Sequence, residues 1–181
     1  MPARSRLLAP CLAVLLGATL ASCSEDPEVT GADPAALPED LCAALAEEVP
    51  SDLGLDGGSP SHAVDDELVR AGCRWSGEGD TDLVVEVVSY ALPDADDTTP
   101  VDRALDGACR TLAGTPDVEQ LVEQAGGCSG IVGGTATGIA RVVPDRATVH
   151  VQLSSTTTPP EQLAARVASM TSALTGGIPR G

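Results

Sequence analysis

Cysteine and histidine are the residues of this chain with the widest range of possible chemistry. The cysteines are Cys11, Cys23, Cys42, Cys73, Cys109 and Cys128. A cysteine can form a disulfide, ligate a metal ion or be alkylated, and the surrounding sequence indicates which of these applies. No two cysteines have the CxxC spacing, and His62 and His150 stand apart from them. Because zinc sites usually show tighter ligand spacing, the sequence predicts no metal site and no cofactor.

The first part of the chain is typical of an export signal. Arg4 and Arg6 form a short basic region, and the segment from Leu7 to Leu20 that follows it is apolar. This segment is shorter than the about 20 apolar residues that a membrane-spanning helix needs. It has the length of the hydrophobic core of a signal peptide. The sequence therefore predicts export from the cytoplasm.

Cys23 follows this segment directly, within the sequence Leu20-Ala21-Ser22-Cys23. Small residues before the thiol fit a peptidase cleft, and the thiol can be alkylated by a diacylglyceryl group. The four residues resemble the lipobox of bacterial lipoprotein precursors, in which a leucine and two small residues precede the lipidated cysteine. The resemblance implies that residues 1–22 are a signal peptide that is removed and that Cys23 carries the lipid. The alternative is an ordinary secretory signal with an incidental cysteine near its end.

The chain as a whole is strongly acidic. It has 27 acidic residues against ten arginines, and its formal net charge is -17. So few cations cannot neutralise a phosphate backbone, which excludes nucleic acid as a partner. Residues 24–37 are acidic, contain proline and show no periodicity, so residues 23–37 are predicted to be the lipidated cysteine and a flexible tether. Residues 38–181 then form a single extracytoplasmic domain.

Four cysteines belong to this domain: Cys42, Cys73, Cys109 and Cys128. An even number of cysteines in an exported chain predicts two disulfides, with three possible connectivities. We favour the sequential pairing, Cys42–Cys73 and Cys109–Cys128, in which each bond closes a loop of moderate length. With one Trp, one Tyr and no Phe, the core must consist of small aliphatic side chains. Each disulfide would compensate for that with about 2–4 kcal/mol of stabilisation.

The hydrophobic pattern of the domain predicts alternating hairpins and helices. The predicted elements are a helix from Pro38 to Val49, strands at Cys73–Trp75 and Leu83–Tyr90, a helix from Thr99, a hairpin of Ile139–Val143 with Thr148–Ser154, and a last helix that contains Leu163 to Leu174. We expect residues 50–68 to be mainly loop and residues 118–124 to be a short helix. This order predicts an α+β fold, with an antiparallel sheet of about four strands and helices on one face.

Two short segments, Pro38 to Leu45 and Cys73-Arg74-Trp75, carry a second resemblance. They are similar to small lipoproteins of high-GC Gram-positive bacteria, grouped as domains of unknown function, that have a cysteine in the first helix and a later Cys-x-Trp strand. The resemblance implies a Cys42–Cys73 disulfide and an extracytoplasmic α+β domain. It implies no activity and no site residues.

The sequence shows no complete catalytic set. The segment Gly126-Gly127-Cys128-Ser129-Gly130 is similar to a nucleophile elbow, but Ile131 stands where that motif requires a glycine. We interpret the segment as a glycine-rich loop around a disulfide cysteine. His62 lies near two aspartates but lacks a third partner, and the acidic run at residues 94–97 lacks the glycine and the distal glutamate of an EF-hand loop.

The side of the sheet that faces away from the helices is the best candidate for a binding surface. Strand alternation places His150 on the side opposite Val149 and Val151, and it places Tyr90 on the same side as Glu86. If helices cover only the other face, Tyr90 and His150 lie where an envelope protein or a small ligand could dock. The alternative is a solvated face that is stabilised by cross-strand pairs.

These features favour a non-catalytic binding or sensing module that is anchored on the extracytoplasmic side of the cell membrane by the lipid on Cys23. Two alternatives stay open. One is an envelope hydrolase or metal-dependent enzyme whose site is assembled from residues distant in sequence. The other is an accessory subunit of a membrane complex, which predicts an exposed apolar patch.

Replacement of Cys23 tests the anchor. We expect cells that express the chain to attach an alkyne-tagged fatty acid to it, and the Cys23→Ala variant to lose that label because the acceptor thiol is gone. The label is measured by click chemistry on the purified protein. Cys11→Ala is the matched control, since its thiol lies inside the predicted leader, and it should label like the wild type. Equal labelling of the wild type and Cys23→Ala would contradict the anchor.

Overall fold

The structure is a computed structural model, and it describes residues 33–94, 96–124, 126–142, 144 and 146–179. The predicted signal peptide and the predicted lipidation site, Cys23, lie outside the described residues. The α-helices of the described chain are α1 (Leu41–Ala44), α2 (Thr99–Ala113) and α3 (Pro160–Leu174), and a single 3₁₀ turn spans Ser51–Leu53. Its strands are β1 (Ser59–Val64), β2 (Leu68–Ser76), β3 (Asp82–Tyr90), β4 (Glu119–Gln124), β5 (Gly127–Val132), β6 (Thr135–Val142) and β7 (Ala147–Ser154).

All seven strands of the described chain form one antiparallel sheet, in the order β1-β2-β3-β7-β6-β5-β4. The prediction of an antiparallel sheet with helices and two disulfides is confirmed, but the expected number of about four strands is wrong. The four predicted strands are β2, β3, β6 and β7, and they are neighbours at the centre of the sheet. The other three strands extend this centre on both sides.

The three unexpected strands lack the alternation that marks the central ones. β1 lies within residues 50–68, where we expected a loop, and all of its residues are exposed, so it has no apolar alternation. β4 occupies the segment expected to be a short helix, and a register shift between Glu119 and Val122 interrupts its pattern. β5 runs through the segment interpreted as a glycine-rich loop, where Gly127 and Gly130 contribute no side chain.

The main hydrophobic core lies on one face of the sheet, which we call the α3 face. The β3–β7 register places the buried side chains of both strands on this face. These are Leu83, Val85 and Val87 of β3 and Val149, Val151 and Leu153 of β7. Both α1 and α3 pack here, and their apolar residues belong to the same core cluster. The face is closely packed by apolar side chains, which leaves it little room for a ligand.

The opposite face, which we call the α2 face, carries the second helix of the sheet. Leu105 and Leu112 of α2 pack against Cys128 and Ile139 there. Cys128 and Ile139 are direct partners in the β5–β6 register, so their side chains point the same way and form an apolar surface for the helix. The expectation that helices cover only one face is therefore wrong.

Each disulfide joins a helix to the face on which that helix packs. Cys42–Cys73 links α1 to β2 on the α3 face, with 5.1 Å between the two Cα atoms. Cys109–Cys128 links α2 to β5 on the α2 face, with 5.8 Å between the Cα atoms. Of the three possible connectivities, the favoured sequential pairing is the one that forms.

The packed domain begins slightly before the predicted boundary. Leu37 is buried in the main core, and the backbone N–H of Ala35 donates a hydrogen bond of 2.7 Å to Oγ of Ser89. Residues 35–37 therefore contact the domain and do not belong to a tether. The boundary at residue 38 is a few residues too late.

The position of α3 over β6 depends on the absence of a side chain at Gly138. A Cβ atom at this position would overlap Val167 and Thr171, both of which are buried on α3. Interiors as dense as this one cannot accept an extra methyl group without shifting the backbone or a rotamer.

We expect Gly138→Ala to lower the free energy of unfolding by about 1–3 kcal/mol because it overpacks the contact between α3 and β6. Gly107→Ala is the matched control, since Gly107 lies within α2 and a Cβ there meets open space. That variant should raise the free energy of unfolding by about 0.5–1 kcal/mol through helix propensity. Denaturant unfolding of the purified variants measures both values, and a Gly138→Ala protein as stable as the wild type contradicts the close packing.

Candidate functional site

The α2 face of the sheet is only partly covered. α2 packs mainly over β5 and β6 and reaches β7 and β3 at its margin. Because α1 and α3 lie on the other face, β1 and β2 are left without extensive helix cover here among the described residues. A cavity of about 140 Å³ remains where α2 meets β3 and β7, and we call it the cleft. Its lining consists of Glu86, Val88, Tyr90, Ala104, Ala108, Ile139, Thr148 and His150.

His150 and Glu86 are direct cross-strand neighbours in the cleft. The Nε2 atom of His150 is closed off from solvent and has no hydrogen-bond partner in the described part of the chain. Burial lowers the pKa of His150 from its ordinary value of 6.5, and the carboxylate of Glu86 opposes that shift by raising the pKa. The net direction favours a neutral imidazole, in which one ring nitrogen donates a hydrogen bond and the other accepts one.

Tyr90 and Thr148 supply two hydroxyl groups to the same cleft. The Tyr90 hydroxyl lies 3.4 Å from Oγ1 of Thr148, which is long for a pair of hydroxyls, whose usual distance is about 2.7–2.8 Å. Both hydroxyls therefore retain capacity for a further partner. The structure brings together Tyr90 and His150, the two residues selected from the sequence as a partner face. It also makes them half-buried, because α2 stands beside them.

A wider groove continues from the cleft across the exposed part of the α2 face. Its volume is about 490 Å³, it extends over β1, β2 and β3, and it shares Glu86 with the cleft. Gly72 lies in its floor, where a Cβ atom would overlap Oγ of Ser61. Two arginines of β2 also line it. The guanidinium of Arg74 donates two hydrogen bonds to the carboxylate of Asp82, whereas Arg70 forms none of the ion pairs found in the described chain.

The wall of the cleft that α2 provides is fixed at two points. The Cys109–Cys128 disulfide attaches the helix to β5. Arg141 of β6 forms an ion pair with Asp102 in the first turn of α2. One attachment is covalent and the other is electrostatic, and together they hold the helix over the sheet along its length.

The other candidate residues from the sequence do not join this site. His62 pairs with Ala71, whose side chain lies on the α3 face, so the two histidines point to opposite faces. Ser129 pairs with Gly138 and is therefore directed toward the α3 face as well. No group of three or more His, Cys, Asp or Glu side chains suited to a metal ion occurs among the described residues.

Two of the lining residues that were not selected from the sequence as site residues, Ala104 and Ala108, come from α2. They lie four residues apart on α2, beside the buried Leu105 and Leu112. Small residues with this spacing mark a stripe where a helix leaves space against its neighbour. The spacing of the two alanines can be seen in the sequence, but it indicates a lining of the cleft only when α2 is known to lie over His150.

Comparison with protein-family models, with curated proteins and with solved structures finds no match to this chain. The described helices include none with the length and apolar character that crossing a bilayer requires. The site is therefore interpreted from its own geometry.

Acidification tests the burial of His150. Its pKa is lowered on folding, so between pH 6.5 and that lower pKa the unfolded chain binds more protons at this residue than the folded chain does. The contribution of His150 to stability is therefore complete above about pH 6.5 and is lost as the pH falls toward the folded-state pKa. Glu86 on β3 is the acidic residue that lines the cavity with His150, and the other lining residues are Val88, Tyr90, Ala104, Ala108, Ile139 and Thr148.

We expect His150→Gln to remove this part of the pH dependence of the free energy of unfolding. His62→Gln is the matched control, since His62 is exposed, and it should retain the wild-type dependence. Denaturant unfolding between pH 7.5 and 5 compares the three proteins. The burial of His150 is contradicted if the difference between wild type and His150→Gln stays constant across this range.

Proposed function

We propose that this chain is a lipid-anchored, extracytoplasmic binding module of the cell envelope and that its ligand lies in the cleft between α2 and the sheet. The observation that carries the proposal is the buried Nε2 atom of His150, which has no protein partner in the described chain and lines a cavity. The anchor rests on the resemblance of residues 20–23 to a lipobox.

An unpaired polar atom in a cavity favours the binding of a partner from outside the chain. Buried polar groups in proteins are nearly always hydrogen-bonded, and one left unsatisfied costs about 1–3 kcal/mol. A ligand that supplies the missing hydrogen bond recovers this free energy. The other such atom in the described chain is Oγ1 of Thr171. It lies in the tight contact between α3 and Gly138, where a ligand has no room.

The construction of the cleft also supports binding. Its polar side chains lie on central strands, and its helix wall is attached by a disulfide. Side chains on such elements keep their positions in the absence of ligand, so little conformational entropy is lost on binding.

Catalysis is supported less well by the same geometry. His150 and Glu86 form a pair that could act as an acid and a base, but the hydroxyls beside them belong to Thr148 and Tyr90, and the lining contains no serine or cysteine. Ser129, the serine of the elbow-like segment, faces the other side of the sheet. A hydrolase would need a nucleophile and oxyanion donors around one reacting atom, and the lining of the cleft does not supply that set.

A role as an accessory subunit of a membrane complex has weaker support. Such a role predicts a contiguous exposed apolar patch. The large exposed apolar residues of the described chain are Val64, Leu121 and Val122. Val64 lies on β1 and the other two lie on β4, at opposite edges of the sheet, so they do not form one patch.

A fragment screen by NMR tests the binding function. We expect small molecules from a collection of amines, carboxylates and neutral aromatics to shift the backbone signals of residues 86–90 and 148–150 in the ¹⁵N-labelled mature protein in detergent micelles. The bound fragments should lose at least about tenfold in affinity with His150→Gln, because the variant lacks the imidazole nitrogen that forms a buried hydrogen bond with the fragment.

His62→Gln serves as the control in this screen and should bind the fragments like the wild type. Thermal unfolding of each variant shows whether it retains its fold. The proposal fails if no fragment of any class shifts the signals of the cleft, or if all bound fragments contact the α3 face.

A further inference from the structure

We propose that the ligand of the cleft carries a primary ammonium group on a short aliphatic stem. This inference rests on the binding function proposed above and names the chemical class of its ligand. It comes from three features of the cleft: the acceptors that surround it, the carboxylate left without a counter-ion, and the apolar walls.

The polar groups of the cleft are arranged as acceptors for an N–H donor with several hydrogens. Glu86 contributes a carboxylate, which only accepts, and the hydroxyls of Tyr90 and Thr148 each have lone pairs available. The unpartnered Nε2 of His150 joins the set of acceptors when Nδ1 carries the ring proton. An ammonium group has three N–H bonds and no lone pair, so it can satisfy three of these groups at once. An anionic ligand would instead face the carboxylate.

The carboxylate of Glu86 has no cationic partner in the described chain. It is half-buried, and none of the ion pairs or side-chain hydrogen bonds of the described residues includes it. Three arginines are candidates for this role. Arg141 is bound to Asp102 and Arg74 to Asp82. Arg70, which is exposed and diagonal to Glu86 in the β2–β3 register, forms no ion pair in the described chain.

The net charge of the whole chain also favours a cationic ligand. Its formal net charge is -17, and a field of this sign attracts cations to the protein and repels anions. A partly buried carboxylate inside a cavity interacts with a bound cation more strongly than an exposed one does, because water screens it less.

The apolar residues that line the cleft account for the aliphatic stem of the proposed ligand. Val88, Ala104, Ala108 and Ile139 present hydrocarbon to the cavity. A volume of about 140 Å³ suits an ammonium group with a few methylenes. The chain has no lysine, so a side chain from a second copy cannot supply the ammonium group.

Titration with four small probes tests this class. The probes are n-butylammonium, tetramethylammonium, butyrate and butan-1-ol, which share a similar size and differ in charge and in N–H donors. The mature protein is titrated in detergent micelles and the signals of the cleft are followed by NMR. We expect n-butylammonium to bind at least about tenfold more tightly than each of the others, since hydrogen bonds to charged groups are stronger than neutral ones.

Three variants assign the effect to the cleft. Glu86→Gln keeps the shape of the side chain and removes its charge, and it should weaken n-butylammonium binding by about tenfold or more. Glu67→Gln makes the same charge change at an exposed position outside the cleft and should leave the affinity unchanged. Ala104→Leu fills the cavity without changing charge and should abolish binding, which keeps the test decisive if Glu86→Gln does not fold.

The outcomes separate this inference from the function on which it rests. If butyrate, butan-1-ol or tetramethylammonium binds the cleft as tightly as n-butylammonium, the ammonium class is wrong while the binding function stands. If Glu86→Gln binds n-butylammonium like the wild type, the assigned contact is wrong. If none of the four probes binds, the ammonium class is overturned, and the binding function falls only when the fragment collection fails as well.

A fifth probe distinguishes two sources of the same chemistry. Nα-acetyl-lysine N-methylamide presents the ammonium group as a protein side chain does, whereas n-butylammonium represents a free amine. Tighter binding of the lysine derivative identifies a protein as the source, and tighter binding of n-butylammonium identifies a small metabolite-like amine. Either result supports the ammonium class, and rejection of both overturns it.

Discussion

The attachment of α2 to the sheet is the constraint on which the candidate site depends. The helix buries only a narrow apolar surface, in which Leu105 and Leu112 contact Cys128 and Ile139. With no Phe and one Trp in the sequence, the chain cannot strengthen this contact with a large aromatic side chain. The Cys109–Cys128 bond supplies the missing stability at the centre of the contact. The cleft exists because the helix is held in place while its small residues leave a gap over His150.

The two faces of the sheet consequently serve different purposes. The α3 face is filled by aliphatic side chains from β2, β3, β6 and β7, and it provides most of the hydrophobic stabilisation. The α2 face carries the residues that alternate with these along each strand, and in β3 and β7 several of them are polar. Because the strands are held rigidly from the α3 side, Glu86, Thr148 and His150 keep a fixed geometry on the other side. A stable core on one face thus permits an incompletely paired cavity on the other.

The central hairpins and α3 could be predicted from the sequence because burial on one or both faces imposes a regular pattern. Leu163, Val167, Met170 and Leu174 repeat at helical spacing, and all four are buried. The edge strands could not be predicted in the same way. The residues of β1 are all exposed, so no burial selects their type. Tyr90 and His150 could be assigned to one face by alternation alone, but their enclosure by α2 depends on a tertiary contact that no local pattern contains.

The way the chain enters the domain is consistent with an anchor at its N-terminal side and a ligand in the cleft. Leu37 is buried in the main core. Ala35 donates a hydrogen bond to Ser89, and Ser89 pairs in the β3–β7 register with Ala147, which belongs to the core of the α3 face. The segment at residues 35–37 therefore reaches the domain on the face opposite the cleft. The chain thus enters the described domain on one face of the sheet, while the candidate ligand site lies on the other.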